Sequence, residues 1–182
     1  VQELKCVEEK FPWEAVEALG YQAAVYGQKT YNGVAILARA PLEDVSRGFP
    51  DGVEDAEARF IEATVHGIRF QSAYIPNGGE VGSERYAFKL NWLKRLRHHL
   101  ETHYKPTDPI LLGGDFNVAP EDRDCHAPDE WRGHLLFSDP EKRGLAQVLD
   151  FGLKDSLRLH KQDAGLYSWW DYRALGFPMN KG

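Results

Sequence analysis

The stretch Pro109-Ile110-Leu111-Leu112-Gly113-Gly114-Asp115-Phe116-Asn117-Val118-Ala119-Pro120 decides the fold. An apolar run that stops at two glycines and continues Asp-x-Asn predicts a buried central strand ending in a tight turn, with a carboxylate and a carboxamide where it runs out. Side chains alternate along an extended chain, so this reading sets Asp115 and Asn117 on one face and turns Phe116 back into the core. The pairing suits phosphoryl chemistry. A carboxylate orients a water or binds a hard metal, and a neutral amide holds a charged oxygen without competing for the proton. Asp-x-Asn turns also arise for conformational reasons alone. The glycine pair before this one and the acidic loop Glu121, Asp122 and Asp124 after it favour the functional reading.

Outward from this strand, helical and extended patterns interleave. Pro12 and Gly20 bracket a short helix over 12–19. Asn32-Gly33 introduces a strand over Val34–Ala38, and Phe60–Val65 with 68–75 forms a β-hairpin about His66-Gly67. From about residue 83 to 104, Phe88, Trp92, Leu96 and Leu100 recur every fourth position and mark the inner face of a long helix. Asp139-Pro140 opens another helix, with Leu145, Val148 and Leu149 inward and Gly152 at its end. These elements predict a mixed-sheet, layered α/β domain.

Composition narrows the class. The 182 residues fit one domain, and 42% hydrophobic residues with 12% aromatics suffice for a packed core. The net charge of −6 opposes a non-specific polyanion binder but leaves room for a nucleic-acid enzyme, because metal-holding carboxylates lower the total without touching phosphate. Cys6 and Cys125 lack metal-ligand spacing and give no disulfide framework. His99 and His103 share a helix face, but no further ligand sits nearby in sequence, which favours ordinary surface histidines over zinc. With no apolar stretch of membrane-spanning length and no secretory leader, a cytoplasmic protein without a membrane partner is expected.

Five ordered blocks resemble the exonuclease III family of apurinic/apyrimidinic endonucleases, in the endonuclease/exonuclease/phosphatase superfamily. Val1-Gln2-Glu3-Leu4-Lys5 is similar to that family's Leu-Gln-Glu-Thr-Lys, with Leu4 in place of the threonine. Tyr31-Asn32-Gly33-Val34-Ala35-Ile36-Leu37 resembles its Tyr-x-Gly-Val-Ala-Ile strand. Arg59-Phe60-Ile61 with Tyr74-Ile75-Pro76-Asn77-Gly78 and the stretch 113–120 match the next blocks. Ser168-Trp169-Trp170-Asp171-Tyr172-Arg173 resembles the segment that separates the DNA-repair branch from lipid and inositol phosphatases.

The resemblance implies a DNase I-like fold, a layered α/β sandwich with two mixed, mostly antiparallel β-sheets flanked by helices, and a set of roles. Glu3 becomes a Mg²⁺ ligand, with Mn²⁺ as the alternative ion, and Asp115 and Asn117 join it in the metal and catalytic centre. Asp115 orients or deprotonates the attacking water, Asn117 contacts the water or the scissile phosphate, and Tyr74 aims its hydroxyl at the phosphate. Arg59 supports the site by orienting a carboxylate or the phosphate, or serves only as a structural ion-pair partner. Lys29, Tyr31 and Asn77 contact the DNA backbone. Trp169 walls a pocket for a flipped-out abasic sugar, whereas Trp170 suits core packing better.

The implied activity is Mg²⁺-dependent incision of duplex DNA 5′ to abasic sites, with 3′-to-5′ exonuclease and 3′-end cleaning, in a protein that is monomeric at full length. The alternatives are a phosphatase or phosphodiesterase of the same superfamily acting on another phosphate ester, such as a phosphoinositide or sphingomyelin, and a non-catalytic or inert fragment. The last arises because the family pattern places a Trp-Asn strand before residue 1 and an Arg-x-Asp strand with an Asp-His pair after residue 182. On this reading residues 1–182 are a single domain truncated at both ends, inactive as written, and the choice of general base between Asp115 and the outlying histidine stays open.

Overall fold

The computed structural model of the protein describes residues 1–171 and 175–182. In chain order the elements are α1 (Trp13–Ala18), β1 (Gln22–Tyr26), β2 (Val34–Ala38), β3 (Glu43–Arg47), β4 (Phe60–Val65), β5 (Ile68–Tyr74), α2 (Glu84–His103), β6 (Ile110–Asp115), α3 (Pro128–Trp131) and α4 (Asp139–Leu149). They form two compact units. The first comprises Val1–Pro76 and Thr102–Phe116, and the second Asn77–Glu101 and Asn117–Gly182.

The first unit holds both sheets. Strands β1 and β2 pair antiparallel, and β3-β4-β5-β6 form a four-stranded sheet whose last pair, β5 with β6, is parallel. Ala24 and Val34 of the small sheet pack against Ile61 of the large one, with Tyr26, Ile36, Leu42 and Tyr74 around them. Helix α1 lies on β1. Its Trp13 joins a second cluster built on Phe11, Val25 and Ala35. The hairpin expected about His66-Gly67 forms with Val65 opposite Ile68, and both turn residues have positive φ (50° and 76°). That is a two-residue turn of the type whose twist matches antiparallel strands.

Strand β6 corrects the sequence expectation. Ile110–Leu112 was expected to be buried and central, yet among the described residues β6 pairs only with β5, at the edge of the sheet, and Leu111 is 51% exposed. An apolar run specifies affinity for a core, but strand position depends on which partners the topology supplies. Parallel pairing of β5 with β6 needs a long crossover, and α2 lies within it. Strand β3, which the sequence pattern did not reveal, forms the opposite edge. Its Glu-Asp-Val-Ser-Arg sequence is mostly exposed and carries a register shift between Glu43 and Ser46, both features that discourage further pairing.

A buried polar network spans β4 and β5. Glu62 accepts hydrogen bonds from Gln71 Nε2 (2.9 Å), Tyr104 Oη (2.9 Å) and Arg69 (2.8 Å). Burial first, then the Glu62 charge, pushes the Tyr104 phenol above its ordinary range, so it stays a donor.

In the second unit, Tyr86, Trp92, Leu93, Leu96 and Leu100 of α2 are buried, as are Phe137 and, on α4, Leu145 and Val148. The inward stripe of α2 therefore runs through 86, 89, 93, 96 and 100 with Trp92 beside it, and Phe88 is only half-buried. Of the four residues expected on the inner face, Trp92, Leu96 and Leu100 are buried. Helix α4 starts at Asp139 as expected, and Ser138 caps it in reciprocal bonding with Glu141.

Gly114 controls the β5–β6 contact. It sits opposite Ala73 with φ 151°, and a Cβ built on it would lie 1.9 Å from the Ala73 carbonyl oxygen. Backbone cannot give way there as a flexible side chain could. Gly114→Ala is expected to destabilise the fold by at least about 2 kcal/mol in urea denaturation. Gly67→Ala, where nothing lies within 4 Å, should cost only the strain of its positive φ.

Candidate active site

In the first unit, Tyr74 is the hub. Ending β5, it lies in register with Asp115 at the end of parallel β6, and the Ile75 N–H donates to the Asp115 carbonyl (2.9 Å). The Tyr74 hydroxyl donates to Glu3 Oε1 (3.1 Å). The buried Arg59 holds Tyr74 from the other side: its guanidinium lies 4.6 Å from the ring centroid, and its Nη1 donates to the Tyr74 carbonyl (3.1 Å). The Tyr74 N–H in turn donates to the Arg59 carbonyl (2.8 Å), and Arg59 Nε is paired with Glu57 (2.5 Å). Of the two roles expected for Arg59, the structure displays ion pairing with Glu57 and a clamp on Tyr74.

The electrostatics follow from this packing. Burial, then the Glu3 charge, pushes the Tyr74 phenol above its ordinary range, and Asp115 adds to the effect. Tyr74 thus remains a protonated donor at neutral pH. Glu3 is held below the usual carboxylate range, chiefly by its bond to Lys5 Nζ (2.7 Å) and further by Tyr74 and the charge of Arg59. Glu3 and Lys5 both adopt positive φ (56° and 54°), a conformation uncommon for side-chain-bearing residues and concentrated at functional sites. Lys5 had no role in the sequence reading.

In the second unit two carboxamides meet. Strand β6 ends at Asp115, and Asn117 turns to φ 48°, so alternation along an extended chain does not extend to Asn117. The expectation that strand geometry alone sets Asp115 and Asn117 on one face is corrected accordingly. Asn77 Nδ2 donates to Asn117 Oδ1 (3.4 Å), a long contact between two carboxamides. Behind them lies Lys89, fully buried, whose Nζ donates to the carbonyls of Asn77 (3.1 Å) and Asn117 (2.6 Å) and to Glu141. Sequence analysis missed this residue. Its signal was available: a lysine on the inward stripe of α2 is an anomaly that requires buried partners.

The remaining expected contacts are dispersed. Lys29 and Tyr31 are exposed on the loop between β1 and β2, where the Tyr31 N–H donates to the Lys29 carbonyl (2.9 Å). Trp169 is 47% exposed, and Trp170 packs edge-on against Phe177 at 5.1 Å between centroids. Tyr172 and Arg173 of the same sequence block lie outside the described residues. His99 is buried on α2, and among the described residues no three His, Cys, Asp or Glu side chains gather as a metal cluster. No helix among them is long and apolar enough to cross a membrane.

In the first unit a strand-end tyrosine is thus held between an arginine and a carboxylate, in register with an aspartate. The model of the endonuclease/exonuclease/phosphatase family matches residues 1–182. The chain belongs to this family. Exodeoxyribonuclease III of Haemophilus influenzae is 34% identical over 194 aligned residues, which cover all of this chain and 73% of that protein. A 3′ phosphatase from Neisseria, solved bound to a product DNA hairpin, superposes with a TM-score of 0.92 at 38% identity, covering all of this chain and 70% of that one. An AP endonuclease from Archaeoglobus fulgidus gives the same TM-score at 35% identity and the same coverage. The chain spans 60–73% of the length of the curated relatives it matches. It is of the exonuclease III and AP endonuclease type, as its sequence blocks implied, and the layered two-sheet fold is that of these nucleases.

The Glu3 environment makes a direct prediction. Lys5→Met should raise the Glu3 pKa, and Tyr74→Phe should raise it less, in carboxyl ¹³C NMR titrations. Because the folded pKa is depressed, Glu3 contributes stability above its unfolded pKa of about 4.3 and loses it as pH falls through the folded value. The side chain is 43% exposed, so the contribution is small and should shrink further in salt.

Proposed function

We propose that this chain carries the catalytic residues of a divalent-metal-dependent DNA phosphodiesterase that cuts duplex DNA 5′ to abasic sites and trims or cleans 3′ ends. The observation that carries the proposal is the Glu3–Tyr74–Asp115 grouping at the ends of the parallel strand pair, in a chain related to exodeoxyribonuclease III and AP endonucleases.

The donor set suits a hard ion. Glu3 offers a carboxylate of lowered basicity, and Mg²⁺ is bound in proteins by one or two carboxylates with waters and substrate oxygens completing the shell. Glu3 would hold the ion, with Asp115 and Asn117 as the further oxygen donors; Mn²⁺ fits the same donors. A bound divalent cation would supply an acidified water and offset the charge developing on phosphate.

The chain's own groups do the rest. Asp115 orients the attacking water, and the water oxygen forms a bond to phosphorus as the bond from phosphorus to the 3′ oxygen breaks. The water's proton is released to Asp115 or to solvent, and the departing 3′ oxygen takes one up from solvent, leaving a 3′ hydroxyl and a 5′ phosphate. Tyr74, held protonated, donates to a phosphate oxygen once Glu3 is engaged elsewhere. Asn77 and Asn117 donate amide protons to phosphate without altering the proton balance. Lys29 and Tyr31 contact the DNA backbone, and Trp169 presents an exposed ring against which an abasic sugar can rest.

Asp115→Asn is expected to lower cleavage of an abasic-site duplex at least about a hundredfold while leaving DNA affinity within about threefold. Near-normal turnover would remove Asp115 from the chemistry. Trp169→Ala should impair abasic-site incision more than removal of normal 3′ nucleotides, since an aromatic wall serves a sugar that has lost its base. Equal losses on the two substrates, measured side by side, would assign Trp169 to packing instead.

A further inference from the structure

Lys89 and Glu141 are both fully buried, a circumstance that ordinary helix packing does not call for. Taking an ammonium and a carboxylate out of water is expensive, and an apolar pair of similar volume often serves stability equally well. The geometry shows what the pair accomplishes. A lysine ammonium has three protons, and here they meet three oxygens: the carbonyls of Asn77 and Asn117 and a Glu141 carboxylate oxygen. Glu141 is fixed by the Leu136 N–H (3.1 Å), the Ser138 N–H (3.1 Å) and the Ser138 hydroxyl (2.5 Å). Tyr86 of α2 closes the arrangement through a 2.5 Å hydroxyl contact with Ser138.

The two carbonyls belong to the two residues whose carboxamides meet at 3.4 Å. Asn117 is also held at φ 48°, a conformation that needs local support in any residue with a Cβ. Gly78, following Asn77, has φ 100°, and a Cβ there would come within 3.1 Å of the Lys89 stem and 3.0 Å of Leu135. The carbonyls of both amides, and Gly78 after the first, thus pack on one buried lysine.

We infer that Lys89 is a positioning residue, anchored by Glu141, that sets the backbone of Asn77 and Asn117 and so the pair of carboxamides that receives the phosphate. The inference rests on the proposed phosphodiesterase reading for its functional consequence. Its structural content stands separately. The two amides lie 40 positions apart in sequence, and Lys89 is a partner that their backbones share. A charged partner gives this setting a direction, since carbonyl oxygens must point inward and leave the side chains outside.

The test replaces the pair together, Lys89→Met with Glu141→Gln, so that no lone charge is left buried. In the full-length protein the double variant should unfold cooperatively yet show kcat lowered about a hundredfold with KM changed less than about threefold. Introduced into Asn117→Ala, the same double change should cost only about tenfold more, because the route through Asn77 alone remains. The side-chain amide resonances of Asn77 and Asn117 should shift in the double variant with or without DNA. Full additivity with Asn117→Ala, or unmoved amide resonances, would overturn the inference. Should the double variant fail to fold, the wild-type protein decides: slow exchange of the Lys89 ammonium protons, with through-bond coupling to both carbonyls, is expected, and a fast-exchanging uncoupled ammonium refutes it. If the wild-type protein cuts neither abasic nor 3′-end substrates, the functional reading fails alone, and the resonances still decide the positioning.

Discussion

The first unit depends on a parallel pairing that glycine alone permits. Strand β6 approaches β5 so closely at Gly114 that any Cβ would collide with the Ala73 carbonyl. One residue further on, the same register sets Asp115 beside Tyr74, the tyrosine that holds Glu3 and is itself held by Arg59. A backbone contact therefore places a carboxylate next to a phenol with the accuracy of a hydrogen-bond ladder. Ligands of open α/β sheets gather at strand ends for this reason: the sheet is rigid, and chemistry needs rigid placement.

Buried charge is used in both units, in two forms. In the first, Glu62 satisfies Gln71, Tyr104 and Arg69, and so joins strands β4 and β5 to the segment after α2. In the second, Lys89 with Glu141 joins α2, the start of α4 and two loop carbonyls. Neither network adds much net stability, because desolvation offsets most of the attraction. Each instead rejects alternative arrangements, since slipping by one residue would strand a charge away from its partners. The stacking of Phe49 on Phe60 and the packing of Leu93 against Gly144 provide the non-directional cohesion that such networks lack.

Much of the fold was legible. The hairpin at His66-Gly67, the strand at Val34–Ala38, and the helices beginning near residues 13, 84 and 139 carry local signals: glycine at positive φ, proline at a helix start, apolar periodicity. Strands β1 and β3 were not legible. Gln-Ala-Ala-Val-Tyr has weak alternation, and Glu-Asp-Val-Ser-Arg is a polar edge whose extended form is imposed by β4. On α2 the inward residues Trp92, Leu96 and Leu100 were legible, but Lys89 was not, because its burial depends on partners distant in sequence. Ser138 and Glu141 form a capping box that the pattern of residues did display, three positions apart before an apolar run.

By itself the sequence determined the family and the layered α/β class, and it named Glu3, Tyr74, Asn77, Asp115 and Asn117 as candidates for phosphate chemistry. These follow from short-range patterns and ordered blocks, which a linear reading preserves. Tertiary structure alone decided that β6 lies at an edge, that Arg59 clamps Tyr74, that Lys5 engages Glu3, and that Lys89 reaches the carbonyls of Asn77 and Asn117. The physical reason is the same in each case. Burial, charge partnering and the turn of a backbone at positive φ depend on atoms brought close from distant positions, and no local pattern records which distant atoms those will be.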